Sequence, residues 1–126
     1  MKANYLLDTH VLLWLNSDLQ RISRSVIAAL DLADQVYYSA ASVWELSIKQ
    51  SLGKLHLAKP ISGFVEHSRF LELPVTTQYA EAAASLPLHH RDPFDRMLVA
   101  QAMTEGLTLI TADRRLSSYD LKTLRV

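Results

Sequence analysis

The sequence predicts an α/β domain: a sandwich with a central parallel sheet of four to five strands, flanked by helices. Three observations carry that expectation. Short runs of apolar, β-branched or aromatic residues recur at 4–8, 35–39, 71–75 and 107–111, separated by stretches with helical character; strand–helix alternation is the mark of a parallel sheet covered on both faces. At 126 residues the chain is one ordinary domain, 1–126, with no repeat, linker or low-complexity tract. With 49% hydrophobic and 21% charged residues it has a globular composition, neither disordered nor fibrous.

The elements follow in order. Asn4-Tyr5-Leu6-Leu7 reads as a buried strand, halted at Asp8-Thr9, either of which can cap a helix over His10–Leu15. Ser23 opens a second helix carrying Val26, Ile27, Leu30 and Ala33. Gln35–Ser39 has strand character. A helix from about Ala41 to Leu52 shows Trp44, Ile48, Leu52 and Leu55 on one stripe, with Gly53 as its stop. Pro60 is placed to open a helix through His67. Leu71–Val75 is a third strand that Pro74 confines to an edge or an end. Thr77–Leu86 is Ala-rich and helical. Asp92-Pro93 starts a long helix that runs to Gly106. Leu107–Thr111 is a fourth strand, Arg114–Ser118 a short helical turn, and Leu121–Val126 a weak fifth strand.

Composition narrows the chemistry. The absence of Cys removes thiolate ligands, cysteine nucleophiles and disulfides, and fits a cytoplasmic location. Three Gly and no G-x-S-x-G elbow leave no dinucleotide fold or serine-hydrolase elbow. No run approaches the roughly 20 apolar residues of a membrane span. Thirteen basic against thirteen acidic residues argue against a general polyanion binder.

The acids are the informative residues. In parallel α/β folds ligands bind beyond the carboxyl ends of strands, and two strands here deliver Asp8 and Asp113 at or just past that end. Each also has a structural reading. Asp8 can cap the next helix, Asp92 is a natural N-cap, and Glu45 can pair with Lys49 four residues on. Asp95 favours the helix dipole, yet it heads the face of Leu98, Val99 and Ala102, where a carboxylate needs a partner or a metal. Four acids at the ends or openings of core elements could share one pocket, and hard oxygen ligands suit Mg²⁺ or Mn²⁺.

Other residues invite weaker readings. His89-His90 as neighbours on a helix would point about 100° apart, so a loop role outweighs a histidine metal site. Lys49, Arg91, Arg96 and Arg114 lie near the acids and could touch phosphates, but for any one of them balancing an acid or staying solvated is the better reading. Trp14 and Trp44 read as core or interface anchors.

Four stretches together resemble PIN domains, and within them the VapC-type toxins of toxin–antitoxin pairs. They are Leu6–Trp14 (LLDTHVLLW), Ser39–Lys49 (SAASVWELSIK), Leu86–Ala102 (LPLHHRDPFDRMLVAQA) and Leu107–Asp113 (LTLITAD), in the family's order along nearly the whole chain. The resemblance implies a PIN-like sandwich and a metal-dependent endoribonuclease. It places the acidic site on Asp8, Glu45, Asp95 and Asp113, with Thr9 and Thr111 supporting. On this reading Asp8 and Asp95 are the first-choice ligands of Mg²⁺ or Mn²⁺. It also implies an RNA substrate, a cognate antitoxin and a homodimer. Two other readings stay open: a phosphohydrolase using Asp8 as nucleophile, and a non-catalytic interaction module whose acids are caps. If four of the 13 acids gather in one pocket, the remaining surface carries an excess of four positive charges, so a neutral chain is compatible with a nuclease.

Overall fold

Two apolar faces on one sheet organise the molecule. The computed structural model describes residues 3–126. Strands β1 (Asn4–Leu7), β2 (Gln35–Ser39), β3 (Leu71–Leu73), β4 (Thr108–Thr111) and β5 (Thr123–Arg125) form one sheet in the order β3-β2-β1-β4-β5. Every pairing is parallel. Leu6 pairs with Leu109 and Leu7 with Ile110. Because side chains alternate along a strand, Leu6 and Leu109 enter one core while Leu7 and Ile110 enter the other. All four are fully buried, each worth about 1.5–3 kcal/mol of transfer free energy.

Among the described residues, six helices cover these faces: α1 (Thr9–Ser17), α2 (Arg24–Leu32), α3 (Ala40–Ser51), α4 (Ile61–His67), α5 (Thr77–Ser85) and α6 (Pro93–Glu105). Val11 and Leu12 of α1, Val26 and Leu30 of α2, Leu46 of α3 and Ile61 of α4 close over one side. Leu98, Val99 and Ala102 of α6 fill the other with Leu116 and Tyr119, and α5 packs on α6 through the Tyr79 hydroxyl, which donates to Glu105 at 2.6 Å. Gly106 ends α6 with φ 67°, the left-handed conformation of a helix stop. Pro60 proves to be the N-cap of α4 rather than its first helical residue. Short 3₁₀ turns occupy Leu19–Arg21, where no sequence pattern marks an element, and Arg114–Ser118.

The apolar stripe of α3 is not its inward face. The stripe of Trp44, Ile48 and Leu52 does not enter the core; Trp44 is 62% exposed and Leu52 is exposed too. Helix α3 instead turns Ala41, Ser42, Glu45 and Leu46 inward. It lies against both α1 and α6, and Glu45 on its inner side lines the cleft described below.

Chain order reverses around β1: β2 and β3 lie on one side, β4 and β5 on the other. The carboxyl ends of β1 and β4 therefore flank a topological switch point, where open α/β sheets form crevices for ligands. No helix among the described residues is long and apolar enough to cross a membrane.

Candidate acidic active site

Beyond that switch point lies a cleft of about 400 Å³, lined by Asp8, Glu45, Asp95 and Asp113 together with His90 and Arg115. All four predicted acids thus meet, although they come from four separate parts of the chain. Asp92, Lys49, His10 and Trp14 also border the cleft. A larger recess of about 560 Å³ lies between α1 and α4, beside Phe64 and Pro60, and no acid lines it.

Asp8 stands at the end of β1, 3% exposed. Its Oδ1 accepts the Thr9 N–H at 2.7 Å, capping α1, and its Oδ2 accepts the Thr111 hydroxyl at 2.6 Å. The same Thr111 oxygen accepts the Asp113 N–H at 3.0 Å. One threonine at the end of β4 therefore orients both strand-end acids, as its place in the motif suggested. Thr9 acts elsewhere: its hydroxyl meets that of Ser42 at 2.8 Å, tying α1 to α3. Burial raises the Asp8 carboxyl above its usual range, and the hydrogen bonds from Thr111 and Thr9 only partly offset this.

Glu45 is 9% exposed, on the inner side of α3. Its Oε2 pairs with Lys49 at 3.2 Å, as the four-residue spacing predicted. Its Oε1 is buried with no hydrogen-bond partner. A buried carboxylate oxygen left bare is costly, and it marks where a cation fits. Asp95, in the first turn of α6, is pushed up to about 7, mainly by burial and further by the charges of Asp8, Asp92, Glu45 and Asp113. Asp92 is the cap it was expected to be, accepting the N–H groups of Phe94 at 2.8 Å and Asp95 at 3.4 Å.

Asp113 differs from the others. Arg115, two residues on, grips both of its oxygens at 2.9 to 3.1 Å, and these bonds hold the carboxyl down at about 2. His90 joins from the loop before α6. Its Nε2 lies 3.1 Å from Asp95 and 3.3 Å from Asp113. Neither His90 nor Arg115 was singled out for the site from the sequence. Arg115 carried a signal in its spacing of two from Asp113; His90 carried only its loop position, while its neighbour His89 packs edge-on against Tyr119.

Of the basic candidates, Lys49 borders the cleft and Arg96 does not act on it. The Arg96 guanidinium donates to the carbonyls of Ala83, Leu86, Pro87 and His90, fastening the end of α5 and the following loop to α6. Arg91 and Arg114 are exposed. Trp44 packs edge-on against Phe94 at 5.2 Å, and this aromatic pair lies outside the buried cores.

A parallel α/β domain with convergent acids at its switch point defines a class with the chemistry to hold a divalent cation. The chain belongs to the PIN domain family, whose pattern it matches over residues 5–122. It is 34% identical to Ribonuclease VapC22 of Mycobacterium tuberculosis over 119 residues, covering 90% of each chain. The fold is similar to that of VapBC2 from Rickettsia felis bound to a promoter DNA fragment, with TM-score 0.74, 14% identity and coverage of 97% of this chain and 98% of that one. It is similar as well to DNA-bound VapBC from Salmonella typhimurium, with TM-score 0.72, 18% identity and 98% coverage of both chains.

Proposed function

We propose that this chain is a metal-dependent endoribonuclease and the toxin of a toxin–antitoxin pair, acting in the cytoplasm. The observation that carries the reading is the meeting of Asp8, Glu45, Asp95 and Asp113 in one cleft, with a buried Glu45 oxygen unpartnered and Asp95 crowded by like charges. Membership of the PIN family and likeness to a named ribonuclease support it. Asp8 and Asp95, with Glu45, would hold Mg²⁺ or Mn²⁺. Such an ion supplies charge neutralisation at a phosphate and lowers the pKa of water.

The residues of the chain do the rest. Thr111 and the Thr9 N–H orient Asp8, the α6 dipole faces Asp95, and Lys49 holds Glu45. RNA is the proposed substrate. An antitoxin is the proposed partner, as the similar structures are VapBC complexes. A second copy of the chain is proposed as a homodimer partner. The phosphohydrolase reading gains no support: Glu45, which that chemistry does not need, shares the cleft and leaves one carboxylate oxygen unpartnered there. The interaction-module reading accounts for Asp8, Asp92 and Asp113 as caps, but Asp95 and Glu45 cap nothing.

The test is purified, antitoxin-free protein with a mixed RNA pool. Cleavage is expected with Mg²⁺ or Mn²⁺ and is abolished by chelator, by Asp8→Asn and by Asp95→Asn while the fold is retained. Full cleavage in chelator would overturn the metal reading.

A further inference from the structure

The four acids are not equivalent as acceptors. Asp113 Oδ1 takes the Arg115 backbone N–H at 2.9 Å and its Nε–H at 3.1 Å; Oδ2 takes Arg115 Nη2 at 2.9 Å and His90 Nε2 at 3.3 Å. A carboxylate offers about four lone-pair sites, so Asp113 has no place left for a cation.

His90 explains why proximity misleads here. Its ring nitrogen and the carboxylate oxygens of Asp95 and Asp113 lie within 4.8 Å of one another, as metal ligands would. However, the Asp92 backbone N–H donates to His90 Nδ1 at 3.0 Å. A neutral ring whose Nδ1 accepts carries its proton on Nε2, and a protonated nitrogen has no lone pair for a metal. The Nε2–H therefore occupies the gap between Asp95 and Asp113 as a donor. The ring is fixed there: it is buried, and its own backbone N–H is held by the Tyr119 hydroxyl at 3.0 Å.

Open acceptor capacity is thus concentrated on the other side of the cleft, at Glu45 Oε1 and at Asp95, whose side chain meets only His90. Arg115 faces the cleft in the opposite state. Its Nε and Nη2 are spent on Asp113, while its side chain is 67% exposed, which leaves Nη1 free towards solvent. A guanidinium held on one edge and open on the other suits a phosphate; a lysine cannot grip and present at once.

We infer that the centre takes one divalent cation, on the Asp8–Glu45–Asp95 side, and that Arg115 supplies the second positive charge to the substrate phosphate, with Asp113 and His90 as its positioning residues. This rests on the nuclease reading above and assigns Asp113 a role other than the ligand its motif implies.

The test uses the full, antitoxin-free chain. Calorimetric titration with Mn²⁺ should give one ion per chain in the wild type, in Asp113→Asn and in Arg115→Gln, and none in Asp95→Asn. Arg115→Gln should bind a single-stranded RNA oligonucleotide about tenfold more weakly in chelator, where the strand stays intact, and cleave it with kcat/KM down about 100-fold. Arg115→Lys should restore little of either. Two Mn²⁺ ions in a wild type that cleaves RNA, or Arg115→Gln binding and cleaving like wild type, would overturn this inference and leave the nuclease reading standing. No Mn²⁺ binding and no cleavage in the wild type would overturn both.

Discussion

Replacing Asp95 with Asn removes one negative charge from a site where charges repel, so the metal-free protein should become more stable as it loses function. The Asp95 carboxyl titrates at about 7 in the folded chain against 3.8 ordinarily. At about 1.36 kcal/mol per pKa unit, ionising it costs the fold about 4 kcal/mol at the limit. Its side chain is 19% exposed, and solvent screening brings the figure to about 1–3 kcal/mol. The sign follows from proton binding. Between pH 3.8 and about 7 the folded state holds the proton more tightly than the unfolded state, so stability falls as pH rises through that window, and the full penalty applies above it. The asparagine escapes the penalty, and its amide oxygen can still accept from His90, which lies 3.1 Å from the aspartate oxygen.

Thermal unfolding in chelator should therefore show Asp95→Asn melting about 3–10 °C above wild type near pH 8. The gap should narrow steadily as pH falls from about 7 towards about 4. Adding Mn²⁺ at about 100 times its Kd should raise wild-type stability by about 2.7 kcal/mol and leave the variant unmoved. A variant less stable than wild type near pH 8 in chelator, or a gap that ignores pH, would refute the argument that repulsion among the acids is held in the fold.

Three further outcomes follow from the same geometry. Thr111→Val removes the donor to Asp8 and the acceptor of the Asp113 N–H together; urea denaturation should show a loss of about 2–3 kcal/mol, with cleavage lost disproportionately. Arg96→Lys should lower stability by about 1–3 kcal/mol by releasing the carbonyls of Ala83, Leu86, Pro87 and His90, with RNA affinity in chelator unchanged; a selective loss of affinity would restore it as a phosphate contact. Mn²⁺ affinity should rise up to about tenfold per pH unit below about 7 and level off above, because the ion displaces the Asp95 proton; calorimetry in buffers of different ionisation enthalpy would detect that release, and a flat profile would contradict it.

Most of the fold was legible because parallel strands are continuous apolar runs and the punctuation was strong: Asp8 after β1, Pro93 at the start of α6, Gly106 at its end. The convergence of the acids was legible for a related reason, since strand carboxyl ends are brought to one edge by topology. The facing of helix α3 was not legible, because periodicity reports an apolar stripe without saying which side faces the sheet. Its inner face is Ala41, Ser42, Glu45 and Leu46, of which Glu45 lines the cleft, and Trp44 and Leu52 remain outside. The anchoring role of Arg96 was not legible because its carbonyl partners come from the end of α5 and a loop whose path no local pattern specifies. The role of His90 was invisible for the same reason: it depends on the Asp92 N–H turning back onto the ring.

Charge gives a second argument for the number of ions, sharing only the Arg115–Asp113 contact with the first. Four carboxylates line the cleft, and the chain answers two of them with its own cations: Lys49 lies 3.2 Å from Glu45, and Arg115 lies 2.9 Å from Asp113. The fifth acid at the rim, Asp92, is committed to the backbone amides that open α6, where the helix dipole favours it. Asp8 and Asp95 are the two without a Lys or Arg partner among the ion pairs of the described residues, and both are raised above the ordinary carboxylate range. Their combined charge is that of one divalent cation with opposite sign. A second ion would have to compete with Arg115 for Asp113, at the carboxylate the fold has already neutralised. The hydrogen-bond count and the charge count share the Arg115–Asp113 contact, but the unpartnered Glu45 oxygen belongs to the first and the uncompensated Asp8 to the second, and both place the cation away from Asp113.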